Sequence, residues 1–264
     1  MDIDTLYNEN CVDTMARMPD DFVDLVVTSP PYDDLRKYNG YSFDFDGVSA
    51  GLWRVVRPGG VVVWVVGDAC LDGGETGTSF RQALHFMELG FKLHDTMIYE
   101  KNSSSFPARP DSKRYTQIFE YMFVFCKGKI RDDIKLIADK PNKWAGHQSW
   151  GDVSYYKKDG KKDLRGKKIS PVPQFSLRNN IWKYSTALDK GTGHHPAVFP
   201  EKLAEDHILS WSNPGDLVYD PFMGSGTTAR MAIANDRHWI GSEISAEYCE
   251  IIRSRIENVQ VNLI

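Results

Sequence analysis

Two stretches of this chain combine residue types that could do chemistry. They are Thr28-Ser29-Pro30-Pro31-Tyr32 and Asp220-Pro221-Phe222-Met223-Gly224-Ser225-Gly226-Thr227-Thr228. In the first, successive prolines keep the Ser29 and Pro30 carbonyls out of a helix or a central ladder. Such a turn is a rigid mouth offering a hydroxyl, a carbonyl without a competing local donor, and the aromatic face of Tyr32. The plainer alternative is a proline-stiffened turn whose tyrosine packs on the core. In the second stretch, glycines let backbone approach a ligand closely, where the N–H groups of a helix start collect. The lysine of a phosphate-binding loop is absent, so a nucleoside triphosphate is not the expected ligand. Glu243 lies 23 residues beyond Asp220, where nucleotide-binding α/β sheets place a carboxylate for ribose hydroxyls. Together these point to a nucleoside-type cofactor.

The elements that must position these residues are legible as alternating strands and helices. A β-branched run, Phe22–Thr28, predicts a strand ended by Ser29-Pro30-Pro31. A helix is predicted over Gly47–Val56, stopped by Arg57-Pro58-Gly59-Gly60. Val61–Val66 is apolar without alternation, as in a strand covered on both faces. Thr78 or Ser79 should cap a helix running to Leu89, and Asp95–Tyr99 and Glu120–Cys126 should be strands. After Pro200 the spacing predicts helices over Glu201–Trp211, Thr227–Ala234 and Ser245–Asn258, with strands Asp216–Asp220 and His238–Ser242 between them. The expected fold is α/β, a mostly parallel Rossmann-like sheet with helices on both faces and an irregular basic insertion.

Composition narrows the classes. Hydrophobic residues make up 41% and charged residues 26% of 264, a globular balance that excludes wholesale disorder. No apolar run reaches a membrane span, and the acidic first residues are wrong for a signal peptide. Cys11, Cys70, Cys126 and Cys249 form no CxxC, so reduced thiols in a cytosolic protein are expected rather than a zinc site or a disulfide scaffold. Charge is segregated: residues Lys101–Ser185 hold 19 Lys+Arg against 8 Asp+Glu, and the rest of the chain holds 13 against 28. A basic segment on an acidic body fits a polyanion partner, and equally a solvated lysine-rich loop.

The motifs then meet a family. Ser29-Pro30-Pro31-Tyr32 resembles the catalytic motif of DNA amino-methyltransferases, and Asp220–Thr228 resembles their cofactor motif. His195-Pro196-Ala197-Val198-Phe199-Pro200-Glu201 is similar to the segment that packs on the methionine part of their cofactor. The catalytic motif comes first and a basic segment separates the two, which looks like the β class. The resemblance covers residues 1–126 and 181–258. It implies a catalytic half over 1–126, a basic DNA-contact insertion over 127–180 and a cofactor-binding half over 181–264.

It also implies methyl transfer from S-adenosyl-L-methionine to the exocyclic amine of a base flipped out of double-stranded DNA. Ser29, as the first motif residue, favours cytosine N4 over adenine N6. The catalytic set would be Ser29, Pro30, Pro31 and Tyr32, with Tyr32 stacking on the base. The cofactor set would be Asp220, Phe222, Gly224, Gly226, Thr227, Glu243, His195, Pro196 and Phe199. Asn10 joins it from Asn8-Glu9-Asn10, which stands where relatives commonly carry Asn-Gly-Asp. In that scheme Asp220 would accept from the cofactor ammonium. Arg36, Lys157, Lys158, Lys161, Lys162, Lys167 and Lys168 would meet DNA, mostly at phosphates, and Arg165 and Arg178 would read base edges. No metal is required. A homodimer, a cognate restriction endonuclease and a cytoplasmic location are further expectations of the resemblance. The competing readings are a methyltransferase acting on RNA or a protein amide, and a catalytically silent DNA-binding module.

Overall fold

A computed structural model describes residues 1–31, 43–102, 113–147, 154–156, 159, 162–164, 171–185, 200–257 and 259. The chain divides into two compact units, Met1–Lys135 with Asn180–Ile264, and Leu136–Asn179. Residues 127–135, expected in the insertion, therefore belong to the larger unit.

The larger unit is built on β1 (Thr5–Tyr7), β2 (Val23–Thr28), β3 (Val56–Val66), a small hairpin of β4 (Cys70–Leu71) and β5 (Gly74–Glu75), β6 (Lys92–Lys101) and β7 (Phe119–Cys126). The smaller unit holds β8 (Lys140–Pro141), β9 (Ser154–Tyr156), β10 (Lys162–Leu164) and β11 (Phe175–Ser176). The larger unit then resumes with β12 (Ile181–Tyr184), β13 (Leu217–Asp220) and β14 (His238–Ser242). Eight strands form one sheet in the order β1-β14-β13-β2-β3-β7-β6-β12. Only β7 runs against the others, pairing antiparallel with both β3 and β6.

Helices α1 (Cys11–Arg17), α2 (Phe45–Val55) and α3 (Thr78–Glu88) cover one face of the sheet, and α4 (Glu201–Trp211), α5 (Thr227–Ala234) and α6 (Ala246–Ile256) the other. The sandwich explains the unbroken valine run. Val61, Val63 and Val65 pack under α4–α6, Val62, Trp64 and Val66 under α1–α3, and all six are at most 1% exposed. At roughly 1.5–3 kcal/mol for each large apolar side chain buried, this central strand anchors both layers.

Two expectations are corrected. α2 ends at Val55, as the Arg57-Pro58-Gly59-Gly60 signal predicts, but that segment already lies within β3, as an irregularity in the ladder between the Val23–Val56 and Leu25–Val61 pairs. Gly59 is left-handed, at φ 83°, and its N–H donates to the Lys127 carbonyl at 2.7 Å. A Cβ on Gly60 would meet backbone oxygens of Arg57 and Asp24 at 2.9 and 3.0 Å, so glycine lets the chain pass there. Neither Thr78 nor Ser79 caps α3. Its cap is Gly77, and Asp68 supplies the acceptors from a distance, taking the Ser79 N–H at 2.9 Å and the Ser79 hydroxyl.

In the smaller unit, β8 pairs with β11 and β9 with β10, all antiparallel, and the described residues include none that is buried. That agrees with its poverty in aliphatic side chains.

Candidate functional site

The two chemical motifs meet at the carboxyl ends of adjacent strands. β2 ends at Thr28 and β13 at Asp220, and the two pair in parallel through Val218–Leu25 and Tyr219–Val26. From β13 the chain passes through α5 to β14 on one side; from β2 it passes through α2 to β3 on the other. The strand order reverses between them, and such a switch point opens the crevice where α/β sheets bind ligands.

Hydrogen bonds tie four neighbouring strand ends together across this crevice. Thr28 Oγ1 donates to Asp220 Oδ1 at 2.6 Å, and the Phe222 N–H donates to the same oxygen at 3.0 Å. Thr228 Oγ1 donates to the Val27 carbonyl at 3.1 Å. Glu243, just past β14, accepts from the Gly224 N–H and the Ser245 N–H, both at 2.8 Å. Asn8, just past β1, donates through Nδ2 to the Glu243 carbonyl at 2.8 Å. The Ser29-Pro30-Pro31 segment is thus attached, through its preceding residue, to the turn that opens α5. Ser29 is half-buried, Pro30 buried and Pro31 half-buried.

The electrostatics follow from burial. Asp220 is 2% exposed, and burial pushes its pKa up to about 6, opposed by the hydrogen bonds from Thr28, Thr228 and the Phe222 N–H. Burial likewise raises Glu243, against the pull of its backbone donors.

The turn Met223–Gly226 suits a polar ligand. Gly224 and Gly226 are left-handed, at φ 54° and 81°, and no side chain caps the first turn of α5. Among the described residues its first N–H groups have no protein carboxylate or hydroxyl as cap. Behind the turn, Arg255 donates to the Ser225 carbonyl and its hydroxyl, and pairs with Glu201 at 2.7 Å. Phe222 meets Phe43 edge-on at 5.4 Å and Trp64 at 6.3 Å, which joins the turn to the aromatic core under α2 and α3.

The structure brings together Ser29, Pro30, Pro31, Asp220, Phe222, Gly224, Gly226, Thr227 and Glu243. Three expected roles change. Asn10 Oδ1 accepts from the Val12 N–H at 2.9 Å as the cap of α1, so one lone pair of that oxygen is left for a ligand. Asp220 is buried and its Oδ1 is bonded to Thr28 and to the Phe222 N–H, so its role within the protein is to tie strand ends. Arg178, expected at base edges, grips Asp139 with Nε 3.1 Å from both carboxylate oxygens and braces the smaller unit.

Tyr32, Arg36, Lys157, Lys158, Lys161, Arg165, Lys167, Lys168, His195, Pro196 and Phe199 lie outside the described residues, as does the side chain of Lys162. Thr28 and Asn8 stand in the two stretches beside Ser29 and Asn10, but their roles as ties between strand ends have no local sequence signal. Among the described residues no group of His, Cys, Asp and Glu could hold a metal ion, and no helix is long and apolar enough to cross a membrane. All four cysteines are unpaired, and burial pushes the Cys11 thiol up to about 12, far from a thiolate nucleophile.

Comparison with known proteins gives the same picture. The family described as DNA methylase matches residues 23–254. The orphan methyltransferase M.BamHII of Bacillus amyloliquefaciens is 59% identical over 241 residues, 89% of each chain. Among solved structures, the cytosine-N4-specific PvuII DNA methyltransferase aligns with a TM-score of 0.69 at 21% identity, over 98% of this chain and 88% of its own. M1.HpyAVI in complex with SAM aligns at 0.61 and 25% identity, over 95% and 98%.

Proposed function

The chain belongs to the N6/N4 DNA methylase family, and on that premise we propose how its residues carry out DNA amino-methylation. The observation that carries the reading is the 2.6 Å bond between buried Thr28 and Asp220, which fixes the Ser29-Pro30-Pro31 mouth beside the glycine turn of α5. The cofactor is S-adenosyl-L-methionine, which supplies an electrophilic methyl on a sulfonium. The residues present fit it. The first turn of α5, uncapped among the described residues, suits its carboxylate, and the half-buried Glu243, held by the Gly224 N–H, suits ribose hydroxyls. Asp220 supports this turn from within.

An exocyclic amine is a poor nucleophile because its lone pair is conjugated into the base ring. The Ser29 hydroxyl and the Pro30 carbonyl accept from its two hydrogens and draw the nitrogen toward tetrahedral geometry. The lone pair is thereby freed for in-line attack, so positioning supplies most of the acceleration. Tyr32 stacks on the flipped base, repaying part of the unstacking cost. Ser29 as the first motif residue favours cytosine N4 as the target.

The test is methyl-labelled S-adenosyl-L-methionine incubated with duplex DNA, followed by nucleoside analysis. Label is expected in N4-methylcytosine, lost in Ser29→Ala while cofactor binding persists. Label in N6-methyladenine would reverse the choice of base. Label in RNA or protein instead of DNA would overturn the reading.

A further inference from the structure

We propose that Trp144, in the smaller unit, is a DNA-stacking residue, with Lys143 and His147 beside it at the phosphates. The inference rests on the reading of duplex DNA as substrate and names a contact that reading lacks. Residues 136–179 hold 10 Lys+Arg and 4 Asp+Glu, so the unit suits a polyanion. Its described surface is unusual in also exposing large apolar side chains, namely Leu136, Trp144, Phe175 and Leu177. Trp144 is 61% exposed. An exposed apolar side chain is ordinary by itself; Trp144 stands out because a lysine lies beside it in a basic unit.

The side chain is also held ready. The turn carrying it is pinned by backbone bonds from Asn142 N to Gln174 O at 3.0 Å, Gly146 N to Val172 O at 2.9 Å and Val172 N to His147 O at 2.8 Å. Asn142 Nδ2 adds a bond to the Pro173 carbonyl at 2.8 Å, and Gly146 turns the chain at φ 80°. Little backbone order remains to be lost on binding. Lys143 Nζ stands 5.6 Å from the indole centroid and the His147 ring 5.7 Å from it, edge-on. From Lys140 to His147 the sequence contains no acid.

Aromatic faces flanked by cations are the chemistry that recognises nucleobases attached to phosphates. The aromatic stacks on a base face that extrusion of the target leaves unstacked, and the lysine follows the backbone. Arg178 does not compete for this role, since it is engaged with Asp139. The pattern favours DNA over a protein partner because a lysine stands beside the exposed indole and no acid lies between Lys140 and His147.

The experiment measures duplex DNA binding across a salt series for the full chain and for Trp144→Ala, Trp144→Phe and Lys143→Gln, with S-adenosyl-L-methionine affinity measured alongside. Trp144→Ala should weaken DNA binding about tenfold with the slope of log K against log salt unchanged. Trp144→Phe should recover most of that loss. Lys143→Gln should instead flatten the slope, by about 0.9. Quenching of tryptophan emission by DNA should be smaller in Trp144→Phe than in the unaltered chain. Undiminished affinity in Trp144→Ala, or equal losses in the Ala and Phe variants, would overturn the stacking role. An unaltered chain that binds cofactor but no DNA would remove the substrate reading beneath it as well.

Discussion

The sheet has two edges, and each buries an aspartate in a different way. At the amino ends of the strands, Asp24 is 6% exposed and contacts two guanidiniums, Arg57 and, at 2.7 Å, Arg131. Its other oxygen accepts from the Leu217 N–H at 2.9 Å, and Arg131 also pairs with Asp216. At the carboxyl ends, among the described residues, Asp220 meets only hydroxyls and a backbone N–H. The first arrangement neutralises charge and locks strands together. The second leaves a carboxylate without a cation, costly to ionise, beside backbone donors that a ligand can use. The same two strands thus end in a brace at one edge and a binding crevice at the other.

The largest effect should come from breaking the brace. Asp24→Ala leaves two guanidiniums sharing Asp216 and a buried Leu217 N–H without its acceptor, a loss of about 3–5 kcal/mol of stability. Denaturant unfolding should show the drop, while cofactor affinity of the folded fraction stays near that of the unaltered chain. A loss below about 1 kcal/mol, the usual value of an exposed pair, would mean that this edge is not what holds the strands.

The second expectation is a pH dependence at the other edge. The pKa of Asp220 is raised from 3.8 to about 6, so the folded state favours its protonated form. That contribution is complete below the unfolded value and is lost as pH rises through about 6. The swing is of order 3 kcal/mol. Asp220→Asn keeps an oxygen acceptor and cannot ionise, so its stability relative to the unaltered chain should climb between about pH 4 and 6 and then level. A difference flat across that window would show that Asp220 does not titrate there.

Both motifs and most of the strands and helices were legible because apolar runs and glycine turns are local signals. Val61–Val66 and Asp220–Thr228 announced themselves in this way. What escaped depends on neighbours distant in sequence. α1 is seven residues long and β1 three, too short for periodicity to show. The acceptor at the start of α3 is Asp68, eleven residues from the N–H it satisfies. The proline and glycines at 58–60 signalled a stop, yet the ladder tolerates them because Gly59 bonds to Lys127 across the sheet. The site was half legible for the same reason. Ser29, Gly224 and Glu243 stand in motifs, but the pairing that joins them, Thr28 with Asp220, spans 192 residues and exists only in the fold.

That pairing permits the subtlest break. Thr28 is fully buried, and Thr28→Val preserves its shape while removing the donor to Asp220. Asp220 keeps the Phe222 N–H, and Val27 keeps its bond from Thr228, so stability should fall by only about 1 kcal/mol. Cofactor affinity should hardly move, because the Glu243–Gly224 bond and the uncapped start of α5 are untouched. Ser29, however, follows Thr28 directly, and small misplacements at a reacting centre are costly. Single-turnover methylation should slow by about tenfold, at nearly constant cofactor binding. Thr28→Ser restores the hydroxyl and should restore the rate, although it removes a buried methyl group and with it some stability. If the serine and valine variants slowed equally, or if rate and cofactor affinity fell together, Thr28 would be core packing at the end of β2, and the mouth and the cofactor turn would be neighbours without being coupled.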